Sequence, residues 1–205
     1  MKIFSLGPAR SGTKYLDTLL REKYASDEIF VTSSGHSFWS MRSIPIEHPD
    51  SVVLLALRDP YESLASDLAG HLIDDLTKLS PEQKLSDYTL LLESALDSSC
   101  FVAPFEIFTV DHLEITKKLE VAYPQLAGKG RIISDEHIYK TQQKHDNKKF
   151  GAHSEIRAVR GHLPRGENPA KMEALGILKS ATYVRRFAYI ENMQKELMER
   201  YKNVQ

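Results

Sequence analysis

One stretch restricts the fold more than any other. It runs from Ile3 to Leu20 and reads Ile-Phe-Ser-Leu-Gly-Pro-Ala-Arg-Ser-Gly-Thr-Lys-Tyr-Leu-Asp-Thr-Leu-Leu. The apolar run Ile3–Leu6 has strand character, Gly7 and Gly12 bracket a loop, and Tyr15, Leu16, Leu19 and Leu20 then recur on one face of a helix. Strand, glycine-bracketed loop and helix in that order form a phosphate-binding loop. Backbone N–H groups at the helix start, around Ser11 to Lys14, have no partner within the helix and lie at the positive end of its dipole, so an anion is stabilised there. Arg10, Thr13 and Lys14 add side-chain donors to the same spot.

The rest of the chain repeats the alternation. Glu28–Thr32 reads as a second strand followed by a polar loop, Ser33-Ser34-Gly35-His36-Ser37, and the nearly all-apolar run Ser51–Leu57 suits a central parallel strand covered on both faces. That run stops at Arg58. Asp59-Pro60-Tyr61-Glu62 starts a helix with an N-cap, a proline at the first helical position and a capping-box glutamate; Leu64, Leu68 and Leu72 form its inner stripe, and Glu62, Ser63 and Ser66 a polar face. Ser80-Pro81-Glu82-Gln83 repeats the start signal for a helix with Leu85, Tyr88, Leu91, Leu92 and Ala95 inward. Phe101–Phe108 has strand composition, with Pro104 marking an edge or irregular strand, and Asp111–Tyr123 reads as a helix closed by Pro124. A short strand is predicted at Arg131–Ser134, and a long loop between Gln142 and Asn168. Asn168-Pro169 starts a short helix, and Thr182–Tyr201 is the last, with Tyr183, Phe187, Ile190, Leu197 and Tyr201 inward. The expected fold is α/β: a single domain, 1–205, with a parallel sheet between helices and ligands at the carboxyl ends of the strands.

Composition narrows the class. The 41% hydrophobic and 27% charged shares are those of a globular protein, and no apolar run approaches the roughly 20 residues of a membrane helix. A net charge of −1 provides no global field for nucleic acid. The one cysteine, Cys100, rules out an internal disulfide or a Cys-rich metal cluster. Because Met1-Lys2 leads straight into the first strand with no signal-peptide segment, a cytoplasmic location is expected.

The loop is not an ordinary nucleotide loop. A Walker A sequence ends in Gly-Lys-Ser/Thr, whereas here the last pair is reversed as Gly12-Thr13-Lys14. Pro8-Ala9-Arg10-Ser11-Gly12-Thr13-Lys14-Tyr15 instead resembles the 5′-phosphosulfate loop of sulfotransferases that use 3′-phosphoadenylyl sulfate (PAPS). A second segment strengthens the resemblance: that family binds the 3′-phosphate with an Arg at a strand end and a Ser eight positions later, and Arg58 and Ser66 have that spacing. An Arg fork and a Ser hydroxyl are also chemically apt, the first matching phosphate oxygens in a plane and the second adding a donor. The resemblance implies a P-loop NTPase-like three-layer fold and sulfuryl transfer from PAPS to a hydroxyl or amine of a small molecule or glycan, leaving adenosine 3′,5′-bisphosphate (PAP). Arg10, Ser11, Gly12, Thr13 and Lys14 would then hold the 5′ end, and Arg10 and Lys14 would offset charge growing on the leaving oxygen. His36 occupies a place comparable to the family's base histidine, and an imidazole of unperturbed pKa about 6.5 can take a hydroxyl proton near neutral pH. Glu62 and Glu106 are reserve bases. Arg157, Arg160-Gly161 and Arg165-Gly166 fall where the family places a basic loop over the 3′-phosphate and adenine, and Arg165 and Gly166 are preferred because they directly precede Asn168-Pro169. No metal is required.

Two other readings stay open. A small-molecule P-loop kinase or nucleotide hydrolase would use ATP and Mg²⁺ with Asp59 as a metal-side carboxylate. A non-catalytic nucleotide-binding protein would keep the fold without turnover. His71, His112, His145, His153 and His162 are read as structural or exposed, and Phe38, Trp39 and Tyr88 as either core or acceptor-pocket aromatics.

Overall fold

A computed structural model describes residues 1–73, 80–134, 136–137, 140 and 169–204. Four strands, β1 (Lys2–Leu6), β2 (Phe30–Gly35), β3 (Val52–Leu57) and β4 (Phe101–Pro104), form one sheet in the order β2-β1-β3-β4. Every pairing is parallel. All six residues of β3 are buried although successive side chains point to opposite faces, so helices cover the sheet on both sides. After β1 the chain returns to one side as β2 and later to the other as β3. A crevice therefore opens at the carboxyl ends of β1 and β3, the topological switch point at which such sheets bind ligands.

The helices are α1 (Thr13–Tyr24), α2 (Phe38–Glu47), α3 (Pro60–Ile73), α4 (Pro81–Leu96), the single turn α5 (Phe105–Phe108), α6 (His112–Ala122), α7 (Pro169–Leu178) and α8 (Val184–Lys202). Their starts follow the capping signals: the Ser80 side chain accepts from Gln83 N–H, and Asp111 accepts from Leu113 and Glu114 N–H. The inner stripes of α4 and α8 are those expected, with Leu85, Tyr88, Leu91, Leu92 and Ala95 buried on one and Phe187, Ile190, Leu197 and Tyr201 on the other. Tyr61 of α3 stacks on Phe187 of α8, ring centroids 4.0 Å apart, which ties the helix after β3 to the C-terminal one.

Several expectations are corrected. β2 starts two residues late and runs through Ser33-Ser34-Gly35, because pairing with β1 holds these polar residues in an edge strand where side chains need no core. Helix α2 was not expected, since Pro45 lies inside it; Ser37 nevertheless caps it by accepting from Trp39 N–H. The Phe101–Phe108 strand is half its predicted length, because the chain turns into α5 straight after Pro104. Arg131–Ser134 is not a strand: Arg131 N–H donates to the Lys23 C=O in the last turn of α1. On the polar face of α3, Ser63 and Ser66 are both buried and Glu62 is partly exposed. The predicted loop of 142–168, with Arg157, Arg160, Gly161, Arg165, Gly166, His145, His153 and His162, lies outside the described residues, as do the side chains of His71 and Leu72. Among the described residues no helix is long and apolar enough to cross a membrane.

Candidate functional site

The loop between β1 and α1 is built around two residues of positive φ. Gly12, the N-cap of α1, has φ +85°, and Arg10 is the one non-glycine residue with positive φ among those described, at +64°. Left-handed backbone at two such closely spaced residues is the setting in which neighbouring N–H groups can converge on one anion, a nest. An L-residue in this region costs about 1–2 kcal/mol, so Arg10 must be held there by its surroundings. It is: Arg58 Nη1 donates to the Arg10 carbonyl at 3.3 Å, and Ser63 Oγ donates to the Ala9 carbonyl at 2.5 Å. Two segments far apart in sequence are thereby fastened into one rim.

Packing beneath the loop is equally demanding. A Cβ on Gly7 would lie 2.5 Å from Ser11 Oγ, 2.7 Å from the Ala56 carbonyl and 2.8 Å from Thr13 Oγ1, so the chain can leave β1 this close to β3 only without a side chain. A Cβ on Gly12 would lie 2.5 Å from the Phe105 ring. The same ring lies under the Arg58 guanidinium at 4.6 Å, so Phe105 wedges between the loop and the arginine.

Not every expected donor is available. Ser11 N–H donates to the Pro8 carbonyl at 3.1 Å and so closes the loop. The Ser11 and Thr13 hydroxyls are buried and lie 3.2 Å from each other. Leu16 N–H makes the first intrahelical bond, to Gly12, which leaves the N–H groups of the first turn of α1 at the nest. Arg10 and Lys14, both partly exposed, flank it.

Arg58 is the hinge of the arrangement. Besides the Arg10 carbonyl and Phe105 it meets Glu62 Oε2 at 3.3 Å, and the same carboxylate oxygen accepts from Lys171 of α7 at 2.6 Å. Glu62 thus bridges two cations. The Asp59 half of the expected capping box forms, with Asp59 Oδ1 accepting from Glu62 N–H at 2.8 Å. Arg58 Nε is buried without a hydrogen-bond partner among the described residues. Its backbone carbonyl is fixed from behind by Gln194 Nε2 at 2.9 Å, and Gln194 in turn donates to the Tyr88 hydroxyl at 2.8 Å. Burial pushes the Tyr88 phenol above its ordinary value and keeps it protonated, a structural member of the site's support. Ser66, in contrast, is 4% exposed on α3, and no described hydrogen bond joins it to Arg58 or the loop.

His36 stands at the end of β2, across the loop from Arg58. Its Nδ1 lies 2.7 Å from the Gly7 carbonyl oxygen. A carbonyl only accepts, so Nδ1 carries the proton and the neutral ring has its lone pair on Nε2, the atom a general base needs. Glu106 lies exposed on α5.

Comparison with family models and with curated proteins found no match. The site therefore stands on its geometry.

Sequence reasoning reached the loop, Arg58 and His36, and the structure brings these together at one sheet end. It missed Ser63, Phe105, Lys171 and Gln194. Ser63 had a signal, since it follows the N-cap Asp59 by one helical turn and so returns to the loop side. Phe105, Lys171 and Gln194 come from elements whose approach to this crevice no local pattern encodes.

Proposed function

We propose that the chain is a sulfotransferase that moves a sulfuryl group from PAPS to an acceptor hydroxyl or amine and releases PAP. The carrying observation is the fastening of Arg58 and Ser63 onto a strained Arg10–Gly12 nest at the β1/β3 switch point. This joins two donor segments into one site for a ligand with anions at both ends. In this reading the first turn of α1, with Arg10 and Lys14, surrounds the 5′ phosphosulfate and stabilises charge on the oxygen that leaves. Arg58 takes the 3′-phosphate, whose oxygens displace the Glu62 contact, and Ser66 is the further donor that the resemblance assigns. Arg165 and Gly166 complete the nucleotide site as a proposal from sequence alone. His36 Nε2 accepts the acceptor's proton while Gly7 holds the ring through Nδ1.

Two details support this over ATP chemistry. The Thr13 hydroxyl, the group that follows the loop's second glycine, is turned inward onto Ser11. Asp59, the strand-end carboxylate a kinase would direct at a metal, caps its own helix. Calorimetric titration decides between the two: PAP should bind without added metal and more tightly than ATP with Mg²⁺. Preference for ATP with Mg²⁺ overturns the proposal.

A further inference from the structure

The cations beside the loop already share an anion of the protein's own. Arg58 Nη2 lies 3.3 Å and Lys171 Nζ 2.6 Å from the same oxygen, Glu62 Oε2, so both reach one acceptor atom. They come from distant parts of the chain, Arg58 just after β3 and Lys171 in the first turn of α7. We infer that Glu62 stands in for the ligand's 3′-phosphate and that Lys171 is the second cation of that phosphate's site, so that the phosphate binds by displacing the carboxylate. The inference rests on the sulfotransferase reading, in which Arg58 takes the 3′-phosphate, and adds a second binding residue and a contact that tunes selectivity.

Arg58 alone is a partial grip. Its Nη1 donates to the Arg10 carbonyl at 3.3 Å, the Phe105 ring lies against the guanidinium at 4.6 Å, and Nε is buried. The arm it offers a ligand is therefore Nη2, the one on Glu62, whereas arginine holds phosphate best through two parallel N–H bonds. Lys171 brings a second charge to the same oxygen. Its own placement calls for an anion: it is buried, and it lies at the positive end of the α7 dipole, where a cation is disfavoured and a negative group is stabilised.

The partners differ in freedom. Arg58 is tied to Arg10 and Lys171 is buried, so the cations are held in place, while Glu62 is partly exposed on the first turn of α3 and its carboxylate can rotate toward solvent without unpacking the core. The exchange is selective by charge. A ligand monoanion gains little by replacing a carboxylate already tethered there. A phosphate monoester carries about −1.5 to −2 charge at pH 7 and three acceptor oxygens, enough to serve both cations at once. Glu62 thus lowers the affinity of any anion for this site, and a phosphate dianion is affected least.

Calorimetric titration with PAP and with adenosine 5′-phosphate, which lacks the 3′-phosphate, tests both parts. Lys171→Met should weaken PAP by about tenfold or more and adenosine 5′-phosphate by less than about twofold, with Lys171→Arg keeping PAP within about threefold of the unaltered protein. Glu62→Gln removes the competing charge with both cations in place, and should tighten PAP by about three- to tenfold without tightening adenosine 5′-phosphate. Should Lys171→Met not fold, Glu62→Gln decides alone. Equal effects on the two nucleotides in Lys171→Met, or PAP affinity unchanged or lowered in Glu62→Gln, overturns this assignment and leaves the sulfotransferase reading standing. Absence of PAP binding to the unaltered protein overturns both.

Discussion

The two ends of the sheet differ in a way that separates space from chemistry. At the amino ends of the strands lies the larger cavity, about 630 Å³, with Met1, Ser51, Cys100 and Lys129 in its wall. Its lysine pairs with Glu28 at 3.4 Å, and burial pushes the Cys100 thiol above its ordinary value, away from the reactive thiolate. At the carboxyl ends the described cavity beside Pro8, Ala9 and His36 measures about 80 Å³, and strained backbone, a helix start and cations from three separate elements meet there. Volume at a sheet end records how neighbouring turns happen to pack. Converging donors held at a conformational cost record a site, because strain persists only where surrounding contacts over-determine it.

Variants at the two ends can break this contrast. His36→Ala should give the largest effect, lowering sulfuryl-transfer turnover by ~10²–10⁴-fold with PAP affinity kept, as steady-state kinetics beside calorimetry would reveal. Intact turnover would move the base elsewhere. Gly12→Ala drives a Cβ into Phe105 at a left-handed position, and a loss of about 1–3 kcal/mol in denaturant unfolding is expected, with PAP binding lost. Gly35→Ala sharpens that result: its φ is also positive, at +76°, but a Cβ meets nothing within 4 Å, so only about 1 kcal/mol of backbone strain should appear and PAP should still bind. Arg58→Ala should weaken PAP by about 10- to 100-fold, the value of roughly 1.5–3 kcal/mol for hydrogen bonds to a charged group, and weaken the 3′-dephospho nucleotide much less. Equal losses would remove Arg58 from the 3′-phosphate. Lys129→Ala, at the larger cavity, should change stability by no more than about 0.5 kcal/mol and leave PAP affinity and turnover alone. A strong effect on either function there would reverse the contrast between the ends.

How much was legible follows from where each signal resides. The element starts were readable because Ser80 and Asp111 satisfy helix N–H groups within their own turn, so the rule is contained in adjacent residues. Helix α2 was hidden by Pro45, whose usual effect on a helix interior is outweighed here by packing that buries Met41 and Ile44. β2 and the Arg131 segment were misjudged for one common reason: strand identity depends on a partner's unpaired edge, and β1 offers one to Ser33–Gly35 while Arg131 finds Lys23 instead. At the site, spacing singled out Arg58 and Ser66, and only the observed contacts brought in Ser63, whose hydroxyl reaches the loop at Ala9.

From residue order alone came the α/β alternation, the anion loop at the first strand's end and the helix start after Arg58, since backbone caps, glycine bends and apolar periods act over a few neighbours. Tertiary structure decided that β3 lies beside β1, that Arg58 is fastened to Arg10, that Phe105 wedges between them and that His36 sets Nδ1 on the Gly7 carbonyl. Those are pairings between segments separated by tens of residues. They are set by which packing of the whole chain buries its apolar surface while satisfying its polar groups, and no local window contains that sum.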